Sequence, residues 1–266
     1  MALQLEKSIL ATVAYFDVFE YPLSVLELQR LLLGRRSTPC GLGELSRALD
    51  AGVLLEKAVR RKGGFLYSRG REHVRDVRHG RFLAAEKKYK QSFRLIRFLS
   101  YLPFVRALLV CNSMALLNAT PGSDIDLVVV AKPGGVWWAR LFCLLLLSAL
   151  RRRPGQASAT PKICLSFFVD EAHVDVRELR MGENDIDFAY WVANFYPIYD
   201  AGGVYARLWA ANGAWLSGVL PNARPIIPHP SRIVRHTVIL RPMVELLLAP
   251  LSSLARAVQQ KKFPAA

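Results

Sequence analysis

Apolar positions Leu5, Ile9, Leu10, Val13, Ala14 and Phe16 recur at close to helical period, which predicts a helix over residues 4–18. Tyr21-Pro22-Leu23-Ser24 breaks it. Ser24 is a suitable cap for a second helix, Val25 to Leu33, which Gly34 ends. After the loop Ser37-Thr38-Pro39-Cys40, a third helix is predicted over Gly43 to Ala51. Two short apolar runs, Val53 to Val59 and Phe65 to Ser68, flank the basic turn Arg60-Arg61-Lys62-Gly63-Gly64 and predict a β-hairpin. Three helices followed by a hairpin is the pattern of a winged helix. A long basic helix is predicted over Glu72 to Ser100.

The pattern then changes. Strand (107–111), helix (113–118), strand (124–131), helix (136–152) and strand (162–169) follow one another. The last of these is apolar on both faces, which predicts a central strand. Helical tracts are predicted at 186–195, 204–219 and 234–257. Pro221, Pro225, Pro228 and Pro230 mark an extended linker, and Pro242 and Pro250 are placed to kink or split the last helix. The predicted class is therefore α/β (α+β) in four stretches. They are a winged-helix-like domain (1–72), a basic connecting helix (73–106), a mixed-sheet core with flanking helices (107–200) and a helical C-terminal region (201–266).

Composition narrows the possibilities. With 266 residues and 52% hydrophobic content, the chain is long enough for a substantial core. The apolar run Leu141–Leu150 is too short for a bilayer, which needs about 20 residues, so it reads as a buried helix without an integral membrane segment. No secretory signal is evident at the amino terminus, which predicts a cytoplasmic protein. The four cysteines, Cys40, Cys111, Cys143 and Cys164, have neither zinc nor disulfide spacing. The net charge is +15, and residues 57–106 hold 15 Lys and Arg against Glu72, Asp76 and Glu86. Such a segment attracts polyanions, nucleic acid among them; a solvated helix face is the alternative. The third helix offers Glu44, Ser46, Arg47 and Asp50, which is poor chemistry for reading bases.

The chemistry gathers in Cys111 to Lys132. Asp124 and Asp126 flank Ile125 at the start of a strand, so alternation turns both carboxylates to one face and Ile125 into the core. Side by side they repel unless a cation lies between them, which makes the pair a seat for Mg2+. Ser113, eleven residues earlier, ends the apolar run Ala107–Cys111 with a small hydroxyl suited to a phosphate. By contrast, Asp185-Ile186-Asp187 precedes a helical tract and reads as a helix cap.

Cys111-Asn112-Ser113, ten residues, then Asp124-Ile125-Asp126-Leu127 resembles the signature of the DNA polymerase beta-like nucleotidyltransferase superfamily. That resemblance implies Mg2+-dependent transfer of a nucleoside monophosphate from an NTP to a hydroxyl. Asp124 and Asp126 would bind metal, and Asn112, Ser113 and Ser123 the nucleotide. Asn112 departs from the family, which usually has glycine there to let backbone amides approach the triphosphate. A third carboxylate is expected from strand 162–169, because close cations need several anionic ligands. The strand's interior contains none, and Asp170, with Glu171 beside it, is the acid its end supplies. The whole chain also resembles an uncharacterised bacterial group with a winged helix joined to a nucleotidyltransferase-like domain. The tracts Ala14–Leu23, Val136–Arg140, Lys162–Leu165 and Ala211–Trp215 carry that likeness. The competing expectation is a catalytically impaired nucleotide- or nucleic-acid-binding regulator.

Overall fold

The computed structural model describes residues 2–34, 39–156, 160–235 and 241–260. It is a mixed α/β structure with a three-stranded antiparallel sheet and a four-stranded mixed sheet. Two compact units interleave along the chain. One comprises Met1–Ala84, Arg177–Ala193 and Asn212–Pro225; the other comprises Ala85–Val176, Asn194–Ala211 and Ile226–Ala266. Long helices such as Val74–Tyr101 and Val204–Val219 supply residues to both units, which sequence periodicity cannot reveal.

The first unit begins with α1 (Ala2–Val18), β1 (Leu23–Ser24) and α2 (Val25–Arg30). It continues through α3 (Leu42–Ala51), α4 (Val53–Ala58), β2 (Val59–Lys62) and β3 (Phe65–Ser68). Leu5, Ile9, Val13 and Phe16 form the buried stripe of α1 and pack in a core with Leu28, Leu45 and Leu66. Burying each such side chain contributes about 1.5–3 kcal/mol. Ser24 caps α2 as its sequence suggests. Its hydroxyl accepts the Glu27 N–H at 3.2 Å, and the Glu27 carboxylate accepts the Ser24 N–H at 2.8 Å.

The hairpin differs from its expected form. Val53–Ala58 is helical, and the basic residues Arg60, Arg61 and Lys62 lie in strand β2 rather than in the turn. Lys62 pairs with Phe65, so the turn is Gly63-Gly64 alone, both with positive φ (60° and 81°). A two-residue turn of this kind matches the twist of the strands and requires residues free to adopt positive φ. Ser37 and Thr38 of the expected loop lie outside the described residues.

The second unit takes the later part of α5 (Val74–Tyr101), then β4 (Val105–Val110), α6 (Asn112–Ala115), β5 (Ile125–Ala131), α7 (Val136–Ala149) and β6 (Ile163–Asp170). A further strand, β7 (Tyr196–Asp200), completes the sheet in the order β6-β5-β4-β7. β4 is antiparallel to β5 and β7, whereas β5 and β6 run parallel. The expected central strand, β6, is therefore an edge, and β5 is one of the two inner strands. Every β5 residue except Asp126 is buried, while most of β6 is half-buried, so an apolar run by itself does not distinguish the two positions. No strand was expected at β7, and Pro197 within it lacks a ladder donor. Its edge position, opposite an irregularity between Leu108 and Leu109, accommodates the proline.

Of the last predicted helix, residues 236–240 lie outside the described residues. Val234 and Arg235 are not helical, and the later part forms Arg241–Leu248, a 3-10 turn over Ala249–Leu251, and Ser252–Gln260. Pro242 stands in the first turn, where no amide donor is needed, and Pro250 sits in the break.

Candidate functional site

β4 ends and β5 begins at the same end of the four-stranded sheet. Val110 pairs with Leu127, and the Cys111 N–H donates to the Asp126 carbonyl at 3.0 Å. The segment 111–113 thus leaves the sheet directly beside Asp126. Asn112 has φ 55°, in the left-handed region that glycine enters freely and asparagine enters more readily than most residues. Ser113 follows in the short helix α6, its carbonyl accepting the Asn118 N–H at 2.8 Å. Across from this turn Ile125 is fully buried, while Asp124 and Asp126 on either side of it are half-buried. Asp124 immediately precedes β5, and Asp126 is the one residue of β5 that is not buried.

Lys88 sets the electrostatics of this corner. Only 6% exposed, its ammonium donates to the carbonyls of Pro121 (2.8 Å) and Ser123 (2.6 Å), clamping the loop that leads into Asp124. Burial pushes the lysine below its ordinary pKa, and the nearby Asp124 charge pulls in the opposite direction. Ser123, expected to contact a nucleotide, spends its hydroxyl within the loop. Its Oγ accepts the Thr120 N–H at 2.9 Å and lies 2.8 Å from the Thr120 hydroxyl.

β6 completes the cluster. Asp126 is in register with Cys164, and the ladder shifts between Leu127 and Val128, so Ser166 is the extra residue between Leu165 and Phe167. Bulges redirect side chains in this way. The Ser166 hydroxyl donates to Asp126 Oδ1 at 3.1 Å and approaches the Cys164 sulfur at 3.6 Å. Burial pushes the Cys164 thiol up, and the Asp126 and Asp124 charges add to that shift against the opposing Ser166 hydrogen bond. The β6 side chain facing the aspartates is therefore a serine where sequence reasoning sought an acid.

Asp170 is not brought to this corner. It pairs with Ala131 at the far end of β5, a separation of roughly 20 Å along a strand rising 3.3 Å per residue. Its carboxylate accepts the Gly134 and Ala172 N–H groups, both at 2.8 Å. Glu171 is also engaged elsewhere, with Arg207 (3.1 Å) and Arg106 (3.9 Å). Asp185 accepts the Phe188 N–H at 2.9 Å at the start of helix Ile186–Ala193, and Asp187 accepts the Tyr15 hydroxyl at 2.8 Å. Among the described residues, no group of three or more His, Cys, Asp or Glu side chains is arranged to hold a metal ion; His236 lies outside them.

Mg2+ commonly takes one or two protein carboxylates and completes its shell with water and substrate phosphates, a donor set that Asp124 and Asp126 can supply. Asp-x-Asp at a strand start is a local signal. Lys88 was not legible, because the cluster Lys87, Lys88, Lys90 reads as an ordinary basic helix face. Ser166 was hidden by a bulge that no alternation pattern announces.

Compared with protein-family models, with curated proteins and with solved structures, the chain has no match. Among the described residues, no helix is long and apolar enough to cross a membrane.

Proposed function

We propose that the chain is a nucleotidyltransferase of the DNA polymerase beta-like kind, which transfers a nucleoside monophosphate from an NTP to a hydroxyl acceptor. The observation that carries this reading is the convergence of the Asp124/Asp126 pair with the left-handed turn at Asn112-Ser113. Asparagine at φ 55° is compatible with the backbone turn that the superfamily usually builds with glycine. The turn leaves the Ser113 hydroxyl and backbone amides to meet phosphate, and Asp124 and Asp126 to hold Mg2+. The ion would neutralise the triphosphate and polarise its α-phosphorus. Lys88 holds the Asp124 loop in place before any ligand arrives.

In the reaction, the acceptor oxygen forms a bond to the α-phosphorus as the bond to the bridging oxygen breaks. Pyrophosphate leaves with the electron pair, and the hydroxyl proton passes to solvent. The sheet order and the strand–helix–strand–helix–strand succession of the second unit are compatible with this family. In the first unit, the order α1, β1, α2, α3, hairpin, with strands arranged β1-β3-β2, supports a winged helix. The exposed Arg60, Arg61 and Lys62 on β2 suit phosphate contact, and its proposed roles are domain docking or presentation of a substrate.

Ser166 facing Asp126 favours a second reading, in which the protein binds nucleotide or nucleic acid without turning over NTP. The deciding measurement is incubation with each α-labelled NTP and Mg2+, followed by a search for transferred label. Asp126→Ala should abolish turnover while leaving the fold intact by circular dichroism. Unchanged turnover in that variant would remove the aspartates from the mechanism. Mg2+-dependent binding with no turnover in the parent protein would select the regulator.

A further inference from the structure

A pocket of about 180 Å³ lies along β6, walled by α7 and by Arg153-Pro154 beyond it. Leu144, Leu147, Ile163 and Phe168 give it an apolar lining, and Arg140 and Arg153 bring two guanidinium groups to its wall. None of its lining residues is acidic. The Arg140 guanidinium lies 5.7 Å from the centre of the Phe168 ring, within reach of its π face. Burial disfavours the Arg140 charge, and the Arg153 charge disfavours it further. An anion entering the pocket would relieve both penalties.

The pocket lies on the α7 face of the sheet: Ile163 and Leu165, which line it, pair in register with the buried Ile125 and Leu127, whereas Asp126 alternates to the opposite face. The volume suits one six-membered ring, since a cavity of about 150 Å³ accepts benzene.

We propose that this pocket binds a small organic anion, a carboxylate or phosphate carried on a flat apolar ring. The ring lies against the apolar lining and the anion against Arg140 and Arg153.

Binding is tested by calorimetry on the full chain without NTP or Mg2+. The probes are benzoate, phenyl phosphate, inorganic phosphate and benzyl alcohol. Benzoate or phenyl phosphate should bind at least about tenfold more tightly than either inorganic phosphate or benzyl alcohol, because only they use both halves of the pocket. Arg140→Met and Arg153→Met should each weaken that binding severalfold; Arg153 is exposed, so its variant guards against loss of fold. Asp126→Asn should leave it intact. Equal binding of inorganic phosphate, or indifference to both arginine substitutions, overturns the site.

Discussion

Replacing Glu245 with glutamine should destabilise the second unit by about 3 kcal/mol at neutral pH, through a network remote from the aspartates. Glu245 is 1% exposed. Its carboxylate accepts two Arg106 N–H groups (2.9 and 2.6 Å) and the Phe104 backbone N–H (2.8 Å), with Lys132 at 3.2 Å. Burial raises its pKa, but the Arg106, Phe104 and Lys132 contacts overcome that and bring it from 4.5 down to about 2.

A depressed carboxylate value means that the unfolded chain takes up the proton first as pH falls. The stabilisation is therefore complete above pH 4.5 and is lost between 4.5 and about 2. That gap corresponds to at most about 3 kcal/mol, since the Lys132 side chain is 40% exposed and its contact is screened. Breaking a buried ion pair by removing one partner costs a comparable 3–5 kcal/mol or so.

Urea unfolding of Glu245→Gln and the parent protein, followed by circular dichroism and tryptophan fluorescence, should show a gap of about 3 kcal/mol at pH 7. By pH 3 the gap should fall to about half. Thermal midpoints should differ by roughly 6–12 °C at pH 7. Mg2+ and NTP binding should be retained at temperatures where the variant is folded. Equal midpoints at pH 7, or a gap that does not shrink on acidification, would refute this account of Glu245.

Two further predictions concern the aspartate corner. At Asn112, the left-handed backbone angle predicts that Asn112→Gly changes stability by less than about 0.5 kcal/mol, whereas Asn112→Val costs about 1–2 kcal/mol. Thermal denaturation checks this, and a valine variant as stable as the parent would show that the turn relaxes freely. Ser166→Asp places a third carboxylate against Asp126. It should lower stability without Mg2+ through like-charge repulsion, and tighten Mg2+ binding about tenfold or more in a calorimetric titration. Unaltered affinity would mean that Ser166 does not occupy the place of a third ligand.

Sequence periodicity determined much of the local structure. The α1 stripe, the Ser24 cap and the succession from β4 to β6 all depend on neighbours within a few residues. Pattern and propensity act at that range. Tertiary structure decided the rest. β6 proved to be an edge strand, because an apolar run records burial but not the number of pairing partners. β7 forms despite Pro197, because an edge can forgo a ladder donor. Lys88 gained its place at Asp124 by reaching carbonyls more than 30 residues away, and Glu245 its place at Arg106 across 139 residues. Ser166 faces Asp126 only because the β5–β6 ladder shifts by one residue, and Asp170 is kept at the far end by the register of the same ladder. A carboxylate pair is written locally in the chain. Which groups surround it is settled by register and long-range packing, and those have no local signature.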